Sequence, residues 1–120
     1  MYKRQAQLGT PLGPAATLLQ ISSAVCAPCR AARRVLGEVA ERTPGVRHVE
    51  LDAEQNLELV RRLDVLRTPT VLVLDAGGRV VARSSGVPSP AQVNQALNQA
   101  LDRVPRPAAS GAGSSGQEQK

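Results

Sequence analysis

Cys26 and Cys29 are the only thiols in the 120-residue chain, and they stand three residues apart in Cys26-Ala27-Pro28-Cys29. That spacing suits reversible thiol–disulfide exchange if the segment opens a helix. A thiolate is the attacking species. A helix N-terminus offers unpaired N–H groups and a positive dipole end that lower a thiol pKa. One turn apart, Cys26 can attack a partner's disulfide and Cys29 can resolve the mixed disulfide. Pro28 in the first turn costs little, because its missing N–H would have no helical partner there. Arg30, Arg33 and Arg34 follow at once and add positive potential beside the pair. Two other uses of the cysteines stand beside this one. A soft-metal site would recruit both thiols, but His48 is the only further good ligand and no Met lies near, which makes a poor closed site. Inert core packing is the other, because free cysteine is often buried.

The second chemical signal is Arg67-Thr68-Pro69-Thr70, directly ahead of a β-branched run. A proline entering an interior strand removes a ladder donor and so needs a special reason. A cis X-Pro bond is one such reason; a trans turn proline is the plainer one.

The elements that must position these residues alternate along the chain. Ala16–Ser22 is a short apolar run that reads as a buried strand. Residues 27–42 read as a helix with Val35, Leu36, Val39 and Ala40 on one face and a Glu38/Arg42 i,i+4 pair on the other. Thr43-Pro44-Gly45 stops it. Val46–Asp52 alternates, placing Val46, His48 and Glu50 on one side. Residues 55–64 read as a short helix bearing Leu57, Leu59, Val60 and Leu63. Val71–Leu74 and Arg79–Arg83 flank Gly77-Gly78 and predict a hairpin. Ser89-Pro90-Ala91-Gln92 is a helix start, with a cap, a proline at the first position and a Gln three after the cap. The helix that follows puts Val93, Ala96, Leu97, Ala100, Leu101 and Val104 on one stripe. The predicted order is β-α-β-α-β-β-α, with the first two strands parallel and the last two antiparallel.

Composition narrows the function. The chain has 15 Lys+Arg against 10 Asp+Glu, a formal charge of +5. Residues 15–104 hold 11 Arg against 9 Asp+Glu, so the excess lies largely in the ends. A solvated surface explains it better than a phosphate-binding face. Tyr2 is the only aromatic residue, which argues against stacking on single-stranded nucleic acid. No apolar run approaches the ~18 residues of a membrane span. Lys3 and Arg4 lead into a Gly/Pro-rich stretch rather than the apolar run of a secretory signal. Residues 1–14 read as an irregular lead-in, residues 15–104 as the folded domain, and residues 105–120 as a disordered Pro/Ala/Gly/Ser tail.

Taken together, Ser22-Ser-Ala-Val-Cys-Ala-Pro-Cys-Arg30 with its helix, Thr68-Pro69-Thr70 before the hairpin, Gly86 after it and the last amphipathic helix resemble the thioredoxin family over about residues 15–104. The resemblance implies an α/β, thioredoxin-like fold, a four-stranded mixed sheet flanked by about three helices. It implies a nucleophilic Cys26, a resolving Cys29 and a cis-proline at Pro69 packed by the dithiol. It also implies a substrate surface formed by Val25, Ala27, Pro28, Arg67, Thr68 and Pro69, where a substrate chain adds as a strand beside the proline. Three departures stand out. Val25 occupies the place of the family's usual Trp, and Ala27 that of its common Gly. Gln20 stands where the family often carries a buried acid, and an amide cannot transfer protons as a carboxylate does. Water then takes the proton of Cys29, and slower reduction at neutral pH than the family norm is expected. The family's preceding strand and helix have no counterpart in the first 14 residues. Two explanations stand: a minimal fold, or a piece of a longer protein whose anchor or signal lies upstream.

The expected function is protein-disulfide reduction without a bound cofactor. Its partners are disulfide-containing proteins and a separate electron-donating reductase or dithiol. No nucleic acid or membrane contact is expected, and the expected state is a cytoplasmic monomer. A non-enzymatic redox sensor or soft-metal-binding module is the alternative, and an oxidase or isomerase of the same fold is a third. His48 is assigned no catalytic role, and Arg61-Arg62 is read as a solvated helix face. Arg67 is read as facing the dithiol, where it would bind acidic or main-chain groups of a substrate.

Overall fold

The computed structural model describes residues 11–102. The elements are β1 (Ala16–Ser22), α1 (Ala27–Arg42), β2 (Val46–Asp52), a 3-10 turn (Ala53–Gln55), α2 (Leu57–Arg62), β3 (Thr70–Asp75), β4 (Val80–Ser85) and α3 (Pro90–Asp102). The order β-α-β-α-β-β-α is the predicted one. The strands form one mixed sheet in the order β2-β1-β3-β4. β1 and β2 run parallel, with Gln20 opposite Glu50, while β1/β3 and β3/β4 are antiparallel. Central β1 and β3 are buried at every residue, as expected of strands covered on both faces.

Alternate residues feed two cores. Ala16 and Leu18 of β1 and Val71 and Val73 of β3 pack against Leu36 and Val39 of α1 and Val93, Leu97 and Ala100 of α3. On the opposite face Leu19, Ile21, Val49, Leu72 and Leu74 pack with Leu59 of α2 and Val65. Burying a side chain such as Leu36 stabilises the fold by about 1.5–3 kcal/mol. Toward the ends of β1 and β2 the α1-facing side becomes polar: Gln20 and Ser22 follow Leu18, and His48 and Glu50 follow Val46.

The local signals explain the boundaries. The hydroxyl oxygen of Ser89 accepts from Gln92 N at 3.1 Å, and Gln92 Oε1 accepts from Ser89 N at 2.9 Å, a reciprocal cap at the start of α3. At the hairpin, Asp75 Oδ1 accepts from Gly77 N and Arg79 N, and Gly78 takes a φ of 86° that L side chains rarely adopt.

Two readings change. The helix foreseen over residues 55–64 is shorter, Leu57–Arg62, preceded by a 3-10 turn at Ala53–Gln55, and Leu57 on it is exposed. Asp52 Oδ1 and the side chain of Asn56 supply local hydrogen bonds that hold the tight turn and delay the α-helix. Glu38 and Arg42 make no ion pair; the i,i+4 pair among the described residues is Glu58–Arg62 on α2, at 3.2 Å. Of the lead-in assigned to residues 1–14, only 11–14 are described: Leu12 packs against the second core, and Gly13 N donates to Thr17 Oγ1 at 2.8 Å. Val104 and the tail assigned to residues 105–120 lie outside the described residues.

Candidate active site

β1 ends at Ser22, three residues turn the chain, and Cys26 becomes the N-cap of α1 with extended backbone angles. Its sulfur accepts from Cys29 N at 3.2 Å, and its carbonyl accepts from the same N–H at 3.1 Å. That N–H and the positive end of the helix dipole face the Cys26 sulfur. Pro28 occupies the first turn. Cys26 is half-buried, whereas Cys29 is 1 % exposed on the sheet-facing side of α1. The two are joined in a disulfide with an S–S distance of 2.08 Å. Cys26 therefore presents the accessible sulfur, and Cys29 the sequestered one.

Val25, 95 % exposed, stands at the rim, with Ala27 and Pro28 exposed beside it. Ser23, Val25, Cys26, Ala27, Arg30 and Arg33 line an open depression there. The Thr68–Pro69 bond is cis, and Pro69 is fully buried. The Thr68 hydroxyl donates to the Ser23 hydroxyl at 3.2 Å, which ties the proline loop to the loop carrying the dithiol. The Pro69 carbonyl accepts from Gly86 N at 2.8 Å; Gly86 takes a φ of 85° that suits its lack of a Cβ. Arg67 is exposed, and its carbonyl accepts from the Thr70 hydroxyl. Leu66 beside it, 87 % exposed, was not singled out from the sequence. Its signal was an apolar residue outside any periodic segment.

Beneath Cys29 lies a polar chain that sequence reasoning did not assemble. Gln20 is fully buried, and its Nε2 donates to the Cys29 carbonyl at 2.8 Å and to Ser22 Oγ at 3.0 Å. The Ser22 hydroxyl donates to Glu50 Oε2 at 2.8 Å. Arg33 closes on Glu50 through Nε–Oε1 at 2.6 Å and Nη2–Oε2 at 2.7 Å. His48 Nε2 lies 2.9 Å from Gln20 Oε1. The sequence signal was the run of alternate polar positions, 20 and 22 on β1 and 48 and 50 on β2. Arg33, read from sequence as positive potential for the thiolate, is thus largely engaged by Glu50. Burial pushes the His48 imidazolium below its ordinary range; the Glu50 charge opposes this and the Arg33 charge adds to it. Hydrogen bonding from Arg33 is the main force holding the Glu50 carboxyl below its ordinary range, against the effect of burial. Among the described residues no group of three His, Cys, Asp or Glu side chains is placed to hold a metal ion, and no helix is long and apolar enough to cross a membrane.

A disulfide-forming pair at a strand–helix junction, beside a cis-proline loop on a mixed sheet, defines a thiol–disulfide oxidoreductase site on a thioredoxin-like fold. The chain belongs to the thioredoxin-like domain family, whose sequence pattern matches residues 14–101. No curated protein matches the chain at a significant level. Among solved structures it is similar to chloroplastic thioredoxin z at 26% identity and a TM-score of 0.63, covering 74% of this chain and 80% of that one. It is similar to thioredoxin from Trypanosoma brucei brucei at 22% identity and a TM-score of 0.66, covering 85% and 88%. Thioredoxin from Fasciola hepatica matches at 22% identity and a TM-score of 0.63, covering 73% and 83%.

Proposed function

We propose that the protein is a protein-disulfide reductase in which Cys26 attacks and Cys29 resolves. The asymmetry of the pair carries this reading: Cys26 is half-buried at the helix cap, and Cys29 is 1 % exposed beneath it. The Cys26 thiolate attacks one sulfur of a substrate disulfide. A mixed disulfide forms, and one substrate thiolate leaves and takes a proton from water. Cys29 gives its proton to water, and its thiolate then attacks Cys26 Sγ. The Cys26–Cys29 bond forms as the Cys26–substrate bond breaks, and the second substrate thiolate leaves and takes a proton from water. Two electrons pass to the substrate, and an external dithiol or reductase restores the pair.

The substrate surface in this reading consists of Val25, Ala27, Pro28, Arg67, Thr68 and Pro69. The exposure of Val25 beside Cys26 and the Thr68–Ser23 contact support it, because that contact ties the proline loop to the loop carrying the dithiol. The protein acts as a monomer without a bound cofactor, in the cytoplasm.

The test is insulin disulfide reduction driven by a dithiol. The wild type reduces insulin, Cys26→Ser is inactive, and Cys29→Ser accumulates a mixed disulfide through Cys26. An active Cys26→Ser protein, or a wild type without activity, overturns the assignment. A reduction potential near −270 mV fits a reductase, and one near −120 mV an oxidant.

A further inference from the structure

We infer that His48 is a positioning residue for Cys29, acting through the buried amide of Gln20. The inference rests on the reductase reading above and adds a residue that neither the cysteine motif nor the proline loop contains.

The donors and acceptors of the chain assign themselves. The Cys29 carbonyl can only accept, so the Gln20 atom 2.8 Å away is the amino group, Nε2. Its second N–H goes to Ser22 Oγ. The Ser22 hydroxyl is committed to Glu50, which Arg33 holds with two further bonds. Oε1 of Gln20 must therefore accept, and the group at 2.9 Å is His48 Nε2, which donates. This fixes the neutral tautomer with its proton on Nε2, and that donor persists in the imidazolium. Among the described residues, His48 is the one donor to Oε1. Gln20 is fully buried, so without His48 its carbonyl would lose its hydrogen-bond donor inside the fold. The amide would then turn to recover a donor, and its grip on the Cys29 carbonyl would go.

That carbonyl belongs to the first turn of α1, the same turn that sets Cys29 against Cys26. Resolution requires Cys29 Sγ to meet Cys26 Sγ along the S–S axis of the mixed disulfide. Small misplacements of reacting atoms carry large rate costs. His48 does not line the open depression at Cys26, and the first attack uses only Cys26 and the rim. Its loss should slow the second step selectively. The charged groups acting on His48 are Glu50 of β2 and Arg33 of α1; β1 beside it carries no charged residue.

The experiment uses the reduced full chain and oxidised glutathione as the probe, with acid quenching and mass spectrometry. Formation of the mixed disulfide and release of the second thiol are timed separately. His48→Leu slows the second release by about three- to tenfold, the range of one lost hydrogen bond, and leaves the first step within about twofold. His48→Gln, whose amide can still donate to Gln20, restores most of the rate. In wild type, the NMR signals of the Gln20 side-chain amide shift in step with titration of the His48 ring. That titration needs no variant and decides the point if His48→Leu does not fold.

Equal slowing of both steps, no slowing, failure of His48→Gln to restore the rate, or an unmoved Gln20 amide overturns the role of His48 while the reductase reading stands. A wild type that never forms the mixed disulfide overturns the reductase reading itself, and this role with it.

Discussion

Arg33 of α1 and Glu50 of β2 meet in a two-pronged ion pair, with Nε–Oε1 at 2.6 Å and Nη2–Oε2 at 2.7 Å. The same carboxylate accepts from Ser22, so the pair joins the helix bearing the cysteines to the polar ends of two parallel strands. The Arg33 side chain is half exposed, and exposed pairs contribute below about 1 kcal/mol. Arg33→Met therefore lowers unfolding stability by less than about 1 kcal/mol, and the difference shrinks in high salt. Urea denaturation at low and high ionic strength checks this. A larger, salt-insensitive loss would mean that the pair holds the fold and not only the position of Glu50.

Acid should weaken the fold in a defined order. The folded protein holds the His48 imidazolium below 6.5, so the unfolded chain takes up that proton first. The stability tied to neutral His48 is complete above about 6.5 and is lost as pH falls through the lower folded value. Glu50 acts in the same direction, its contribution present above 4.5 and lost as pH falls through its own depressed value. Tm measured from about pH 8 to about pH 2 declines first below about 6.5. His48→Gln flattens that first decline and leaves the later one.

Core and rim should separate cleanly. Leu36 is fully buried between α1, α3 and the sheet, so Leu36→Ala costs about 2–5 kcal/mol in urea denaturation. Val25 and Leu66 are exposed, and their Ala variants stay within about 0.5 kcal/mol of wild type. Those two variants instead raise KM for disulfides flanked by apolar residues. A stability loss at Val25 as large as that at Leu36 would refute the placement of the rim.

Arg67 offers an exposed guanidinium in the loop that Thr68 ties to Ser23. Arg67→Ala lowers kcat/KM for a disulfide peptide carrying Asp or Glu beside its cysteine by a few-fold, and leaves a neutral peptide unaffected. The difference fades with added salt, as screened surface charge requires. Equal rates on both peptides would remove Arg67 from the substrate surface.

Much of this was legible in sequence because it is local. The reciprocal cap at Ser89 and Gln92, the hairpin at Gly77-Gly78 and the cysteines at a strand–helix junction each depend on residues within one turn of each other. Strand alternation also showed that positions 46, 48 and 50 share a face. Alternation names the face but not what lies across it. Sequence alone therefore gives His48 no catalytic role and reads Arg33 as positive potential beside the cysteines, although each has its partner on another element.

Spacing and hydrophobic period alone were enough for the cysteine pair, the order of elements and the burial of the first strand, since each is written within a few consecutive residues. Three-dimensional packing was needed to show which cysteine is accessible. It was needed too for the grip of Gln20 on Cys29, and for the hold that His48 and Glu50 exert from a strand 28 residues away. The pairing register of β1 and β2 sets those meetings. A register is a property of two strands at once, written in neither segment alone.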